Sequence, residues 1–290
     1  RLICGFVAGS GADVIHRFLA KQMQPVAGRP VLVENRPGAA GNIAHTYVSK
    51  AKPDGYTIYP VGMSSLAGAV HLFKQPPVDP LADYDAVGTV LKQGWLLVVA
   101  ANSPFKTLPQ LTAYLKEKKD KASYSTATTN GAVMGEMYKS LAGLETVQVN
   151  YKTIGDSLND LLSGNIDYAM ADAAWALGQI KNGRIRALGI STPERMKSMP
   201  DIPTMKEGGV PGINLVFSMA VVVPKGTPQP IKDKISEWPS QMLKMPETEP
   251  FLASIGTDPF ASTPAEAQEL LRKEIEVWKE YVRIAKIDPT

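Results

Sequence analysis

The sequence predicts an α/β protein made of two α/β units and a C-terminal helical tail. Three observations carry this. Short apolar runs alternate with segments of helical period through most of the chain. The alternation breaks once, near residues 86–101, and then restarts. The chain closes on a capped amphipathic segment. Strand-helix alternation of this kind implies parallel strands with helices packed on the sheet.

Residues 1–7 read as a short buried strand. Residues 13–23 place Val14, Ile15, Phe18, Leu19 and Met23 on one helical face. Residues 30–34 form a second strand, 42–51 a second helix and 57–61 a third strand, a βαβαβ unit with right-handed crossovers. Two strands at 86–91 and 95–101 mark the break, followed by Ser103-Pro104. The second unit opens with a helix at 107–119, with Thr107 as N-cap and Pro109 in the first turn. Strand 122–125, helix 131–142, strand 147–149, helix 155–163, strand 166–171, helix 175–182 and strand 187–191 complete it. A further strand covers 219–223, and two helices follow between proline-rich turns. Pro239 is expected to interrupt the first of them. In the last, Thr263 is the N-cap, Pro264 the first helical residue and Glu266 the partner of a capping box. Its apolar face is Leu271, Ile275, Trp278, Val282 and Ala285. No internal repeat and no low-complexity segment occurs.

Composition narrows the function. The 290 residues suffice for two domains, and 44% hydrophobic with 20% charged residues is ordinary for a globular protein with a core. A net charge of +3 without a Lys/Arg block argues against nucleic acid as partner. No apolar run reaches the ~20 residues that span a bilayer. The single cysteine, Cys4, permits no internal disulfide and lies in an apolar strand, where it reads as a small core residue. Because Arg1 already stands in a strand pattern, a signal peptide is expected to lie outside this sequence.

The enzyme readings are weak. Residues 9–14, GSGADV, follow a strand, and Glu34 ends the next, as in a dinucleotide fold. Val14, however, occupies the position where a small residue lets helix and strand close on the pyrophosphate. A Rossmann dehydrogenase using NAD is therefore only the alternative reading. No Walker motif and no Gly-x-Ser-x-Gly elbow is present. Ser103 and Lys106 match Ser-x-x-Lys without its companion motifs. His16, His45 and His71 are scattered without metal-ligand spacing, so no metal site is expected.

Three turns are rich in small and hydroxyl residues and lack Lys and Arg: 6–13 (FVAGSGAD), 62–68 (GMSSLAG) and 125–131 (STATTNG). The first and third follow a strand and open a helix. Helix starts offer unpaired N–H groups and partial positive charge, which suit a small anion such as a carboxylate. The same residues also serve as plain N-caps. Asp172 ends a strand and either caps the next helix or faces the cleft; Trp175 and Tyr151 lie near strand ends; Met63 and Phe6 are candidates for an apolar wall. The segment VENRPGAAGNIA, 33–44, admits three readings on its residues alone: phosphate cradle, catalytic loop, or strand-to-helix turn.

Glu34-Asn35-Arg36-Pro37-Gly38-Ala39-Ala40-Gly41-Asn42-Ile43, followed by Pro53-Asp54-Gly55-Tyr56-Thr57-Ile58, resembles the hallmark of the Bug/TctC family, the extracytoplasmic solute-binding proteins of tripartite tricarboxylate transporters. The likeness continues through 149–172 (VNYKTIGDSLNDLLSGNIDYAMAD), 183–192 (GRIRALGIST), 199–212 (MPDIPTMKEGGVPG) and 221–228 (VVVPKGTP), and so covers essentially the whole chain. It implies a type II periplasmic-binding-protein fold, two α/β domains with a ligand cleft between them. It places 1–101 with 222–290 in one domain and 102–221 in the other. It also implies a periplasmic, monomeric receptor without cofactor that captures a small mono- or dicarboxylate, aromatic ones included, by lobe closure and hands it to membrane subunits of the transporter. A sensor subunit feeding a signalling kinase is a further alternative.

Carried over position by position, the ligand contacts fall on Phe6, Ala8, Gly9, Ser10 and Asp13, then Met63, Ser64 and Ser65. In the second domain they fall on Thr126, Thr128, Thr129, Asn130, Gly131 and Asp172, with Tyr151 and Trp175 at the edge. The sequence departs from the family pattern at all three turns. Gly5 stands for a proline and Ser10 for a glycine, Met63-Ser64-Ser65 replaces the usual Asn-Gly-Thr-His turn, and 126–131 reads TATTNG where Ser-Ala-Gly-x-Gly-Thr is common. The identity of the ligand therefore does not carry over. The resemblance also makes VENRPGAAGNIA a structural turn, with Glu34 and Arg36 in local ion pairs.

Overall fold

Leu2, Ile3 and Cys4 are fully buried and form strand β1 (Leu2–Cys4), shorter than the apolar run because Phe6 and Val7 turn out to solvent. The computed structural model describes residues 1–284 and 286–289; Ala285, expected on the last helix's apolar face, lies outside the described residues. Helix α1 (Gly11–Ala27) starts at Ser10 and stops at Gly28, which takes the left-handed conformation that favours glycine. Its buried face is Asp13, His16, Leu19 and Met23, so the expected face is rotated and Val14 is exposed. Strand β2 (Val33–Asn35) pairs parallel to β1. Helix α2 (Asn42–Ser49) and strand β3 (Tyr59–Gly62) complete the βαβαβ unit, and Leu2 bridges Ile58 in parallel. Two helices not anticipated follow: α3 (Met63–Leu72), apolar on nearly every side and buried, and α4 (Pro80–Asp83), capped by Asp79.

The two strands expected near 86–101 are one 17-residue strand, β4 (Tyr84–Ala100). The polar stretch Lys92-Gln93-Gly94 looks like a break but continues the ladder, because it is where the strand changes partner. Residues Tyr84 to Gly94 pair with β9 (Val216–Pro224), whereas Trp95 to Val98 pair with β7 (Tyr168–Asp172) and Leu96 to Ala100 with β8 (Ile185–Ile190). Gly94 leaves no free space for a side chain, since a Cβ there would come within 2.7 Å of Ile190 Cγ1 and 2.9 Å of Thr192 Cγ2 and push both side chains aside. Leu96, Leu97, Val98 and Val99 are completely buried, each contributing about 1.5–3 kcal/mol of hydrophobic stabilisation.

After β4 come α5 (Leu108–Lys118), β5 (Ser123–Thr126), α6 (Thr129–Ala142), β6 (Val147–Asn150), α7 (Leu158–Ser163, entered through a 3-10 turn) and α8 (Ala173–Lys181). Thr107 sits at the N-cap of α5 without capping through its side chain; Gln110 Oε1 instead accepts from the Lys106 N–H at 2.7 Å. Strand β5 lies parallel between β6 and β7. The main sheet runs β3-β9-β4-β7-β5-β6, with β8 and β10 (Asp258–Pro259) on β4.

Three C-terminal helices replace the expected two: α9 (Gln229–Met242), α10 (Thr248–Ser254) and α11 (Pro264–Ile284). Pro239 does not interrupt α9; the helix runs to Met242 with the buried proline ring close against Gly88. The capping box of α11 forms as expected, with Glu266 Oε2 accepting from Thr263 N at 2.8 Å and Thr263 Oγ1 accepting from Glu266 N at 3.3 Å. Leu271 and Trp278 are buried, and Ile275 and Val282 pack against the core. Trp278 lies beside Gly68 of α3, Tyr281 donates to Asn214 O at 2.8 Å, and both rings of α11 join the core cluster that holds Tyr124 and Tyr138. Cys4 is buried and free.

Candidate functional site

The turn after β1 is built around Asp13. Its Oδ2 accepts from Gly9 N (2.8 Å) and Arg17 Nε (2.8 Å), and its Oδ1 accepts from Asn35 Nδ2 (2.8 Å). Asn35 Nδ2 also donates to Phe6 O at 3.0 Å. Arg17, then Gly9 and Asn35, hold the carboxyl far below the usual carboxylate range. Ser10 Oγ accepts from Asp13 N at 3.2 Å, a cap that leaves the Gly11 and Ala12 amides unpaired in the first turn of α1. Asp13 is thus the organiser of this turn, and its oxygens are committed within the protein. Phe6, Ala8 and Gly9 are exposed around it, and Gly9 has a positive φ of 81°. The turns themselves hold no Lys or Arg, as expected, but Arg17 reaches back from the next turn of α1.

The turn after β5 has the same construction. Thr128 Oγ1 accepts from Gly131 N at 3.1 Å and caps α6, while Thr126, buried, donates to Thr128 O at 3.2 Å. Gly131 has no space for a side chain: a Cβ would lie 2.3 Å from Thr126 Oγ1. Thr128 and Thr129 are exposed, and Asn130 Oδ1 has no partner. Asp172 caps α8, accepting from Trp175 N at 2.9 Å. Tyr151 directs its hydroxyl to Asp160 Oδ2 at 2.6 Å, and Trp175 packs beside Gly155.

These turns all stand at the carboxyl ends of strands, and two residues the sequence reading missed connect them. Phe217 of β9 lies over Gly62 at the end of β3, where a Cβ would meet its ring at 2.3 Å. Its ring is 6.1 Å, edge-on, from Trp95, and Trp95 is the register partner of Asp172 at the end of β7. The ends of β3 and β7 are therefore joined through two aromatic rings at the point where β4 changes partner. Trp95 is 4% exposed and its Nε1 has no partner. Of the residues expected after β3, Met63 is buried in the core as the first residue of α3 and Ser64 is buried, while Ser65 is half-exposed.

VENRPGAAGNIA forms a strand end, a 3-10 turn at Ala39–Gly41 and the start of α2. Gly38 and Gly41 have φ of 125° and 96°. Glu34 pairs with Arg36 (2.5 Å) and Arg1 (3.3 Å), and the Arg36 guanidinium lies 3.5 Å above the Tyr47 ring. A surface cavity of about 990 Å³ beside α2, lined by Arg1, Asn42, Tyr47, Lys50 and Tyr56 among others, contains none of the expected site residues. Among the described residues no cluster of His, Cys, Asp or Glu is placed to hold a metal ion, and no helix is long and apolar enough to cross a membrane.

The chain is similar to known proteins along its whole length. It is 33% identical over 288 residues to a UPF0065 protein from the TAR-I ttuE-ttuC' intergenic region of Agrobacterium vitis, covering 97% of this chain and 80% of that one. The solved periplasmic binding protein BugD superposes with a TM-score of 0.82 at 27% identity, covering 100% and 98% of the two chains. R. palustris Rpa4515, solved with adipate, gives 0.85 at 26% identity over 100% and 97%. MatC (Rpa3494) from Rhodopseudomonas palustris, solved with bound malate, gives 0.78 at 26% over 97% of each chain. The profile of the "tripartite tricarboxylate transporter family receptor" matches residues 15–287. With its α/β fold, its helix starts at strand ends and this match, the chain belongs to the TctC family of tripartite tricarboxylate transporter receptors.

Proposed function

We propose that this protein is a periplasmic receptor that captures a small carboxylate between two lobes and delivers it to the membrane subunits of a transporter. The observation that carries the reading is the pair of matched turns. Ser10 and Thr128 each cap a helix at a strand end, one after β1 and one after β5, and each leaves first-turn amides without a partner. Two such amide clusters suit the two ends of a dicarboxylate, or one carboxylate and a polar tail, without an arginine clamp. The bound adipate and malate of the two structural neighbours belong to the same chemical class. The lobes divide where β4 changes partner, at Gly94 and Trp95, and again ahead of Val216. This lies a few residues earlier than the boundaries at 101 and 221 read from sequence.

Gly11 and Ala12 in one lobe and Thr129 and Asn130 in the other present amides to the carboxylates, with Phe6 and Phe217 as apolar surface. A thermal-shift panel of C4–C8 dicarboxylates, malate, citrate, acidic amino acids and aromatic diacids tests the reading, with NAD(H) as counter-probe. A ligand at about 100 times its Kd stabilises by roughly 2.7 kcal/mol, a shift of a few degrees. A carboxylate hit is expected; a shift for NAD(H) alone would overturn the reading.

A further inference from the structure

Three residues that the turns alone do not explain form a chain from the core to Ser65. Tyr59 Oη lies 3.0 Å from His45 Nδ1, and His45 Nε2 lies 3.2 Å from Ser65 Oγ. Tyr59 and His45 are 2% and 1% exposed, whereas Ser65 is half-exposed in the first turn of α3. Tyr84 Oη anchors the same helix turn by donating to His45 O at 2.6 Å. Two bare positions leave room for the chain: a Cβ on Gly5 would stand 3.2 Å from Tyr59 Oη, and one on Gly41 3.4 Å from His45 Nε2.

The direction of these hydrogen bonds follows from what each group can do. Among the described residues the Tyr59 hydroxyl has no other acceptor than His45 Nδ1. If it accepted from Nδ1–H, its own proton would be buried unpaired, which is costly. So the phenol donates to Nδ1 and the ring proton sits on Nε2. Nε2–H then donates to Ser65 Oγ. That occupies one lone pair of the serine, orients the hydroxyl, and leaves its proton without a partner among the described residues. Burial keeps His45 neutral by lowering its pKa to about 4, and pushes the Tyr59 phenol upward so that it stays a donor. The polarity is the reverse of a nucleophilic serine, which needs the imidazole lone pair facing its hydroxyl.

We propose that Tyr59 and His45 are positioning residues that fix the Ser65 hydroxyl as a hydrogen-bond donor to a carboxylate of the bound ligand. The inference rests on the receptor reading above and deepens it. The site at the start of α3 would then offer an ionised carboxylate a hydroxyl proton that nothing else among the described residues takes.

Nitrogen-15 NMR of histidine-labelled protein tests the relay without any ligand. His45 is expected as the Nε2–H tautomer and neutral down to about pH 5. A Nδ1–H tautomer, or titration near pH 6.5, would overturn the inference. Calorimetry then uses the tightest binder of a panel of malate and C4–C8 dicarboxylates. Ser65→Ala should weaken it about tenfold, the loss of one hydrogen bond to a charged group. His45→Leu should do the same. His45→Gln, which can accept from Tyr59 and donate to Ser65, should bind within about threefold of the wild type. Tyr59→Phe, which keeps the core shape, should fall between them. Equal binding by wild type and Ser65→Ala would overturn the inference alone. A wild type that binds no member of the panel would overturn the receptor reading and the inference with it.

Discussion

Gly62 shows how a single residue ties the site to the sheet. It has an ordinary extended φ, so its lack of a side chain answers to space and not to backbone conformation. The Phe217 ring fills the place of its Cβ, and Trp95 stands edge-on to that ring. Gly62→Ala should therefore cost about 1–3 kcal/mol in urea denaturation, the usual penalty of overpacking. The cost should shrink in a Phe217→Leu background, because the clash is with the ring; an unchanged cost would place the strain elsewhere. Asp13 teaches the complementary lesson. Its position at a helix start made it a ligand candidate, but its oxygens already hold Gly9, Arg17 and Asn35. The residue is indispensable to the turn by shaping it. The partners Arg17 and Asn35 differ in how far the sequence shows them. Arg17 is visible as an i+4 neighbour of Asp13, whereas Asn35 arrives from β2 and no local pattern predicts it.

At the scale of elements, what was legible is what is encoded locally. The starts of α1, α6 and α11 fall beside Ser10, Thr128 and Thr263, because a cap acts within one turn of its own residue. Helix α3 was missed because it is apolar on almost every side, so no helical stripe stands out from its sequence. The His45 relay and the Trp95–Phe217 contact were illegible because their members are distant in sequence and meet only through the sheet. Helix α11 carries a pH dependence of its own. Glu274 accepts from Trp278 Nε1 at 3.1 Å, and burial raises its pKa to about 7, only partly offset by that hydrogen bond. The folded state thus keeps a proton that the unfolded chain releases near pH 4.5. This contribution is complete below about pH 4.5 and is lost as pH rises through 7. Glu274→Gln, which keeps the bond to Trp278, should flatten that decline. At pH 8 it should unfold at higher urea than the wild type, by at most about 3 kcal/mol. A variant with the wild-type pH slope would show that Glu274 is ionised in the folded protein.

At the scale of the whole molecule, the long strand β4 would decide where the two proposed lobes move against each other. One strand serves both halves and changes partner at Gly94 and Trp95, so rotation of one half against the other concentrates its backbone change there. Strand β9 and helix α11 run alongside and limit the motion, with Trp278 against α3 and Tyr281 bonded to Asn214 O. Asp258 adds a further tie, accepting from Lys197 N at 2.8 Å and Ser198 N at 2.9 Å. If ligand closes the halves as proposed, the radius of gyration in small-angle scattering should fall when a dicarboxylate from the panel is added. Gly94→Ala tests where the hinge lies. Its Cβ would press on Ile190 and Thr192 at 2.7 Å and 2.9 Å, shifting the angle between the halves without touching the ligand turns. The variant should stay folded, bind the same ligand more weakly, and show a smaller fall in radius on binding. Weaker binding should come from the closing step, so the dissociation rate should rise more than the association rate drops. Closure and affinity equal to the wild type would move the hinge away from this crossing and leave β4 as a rigid spine.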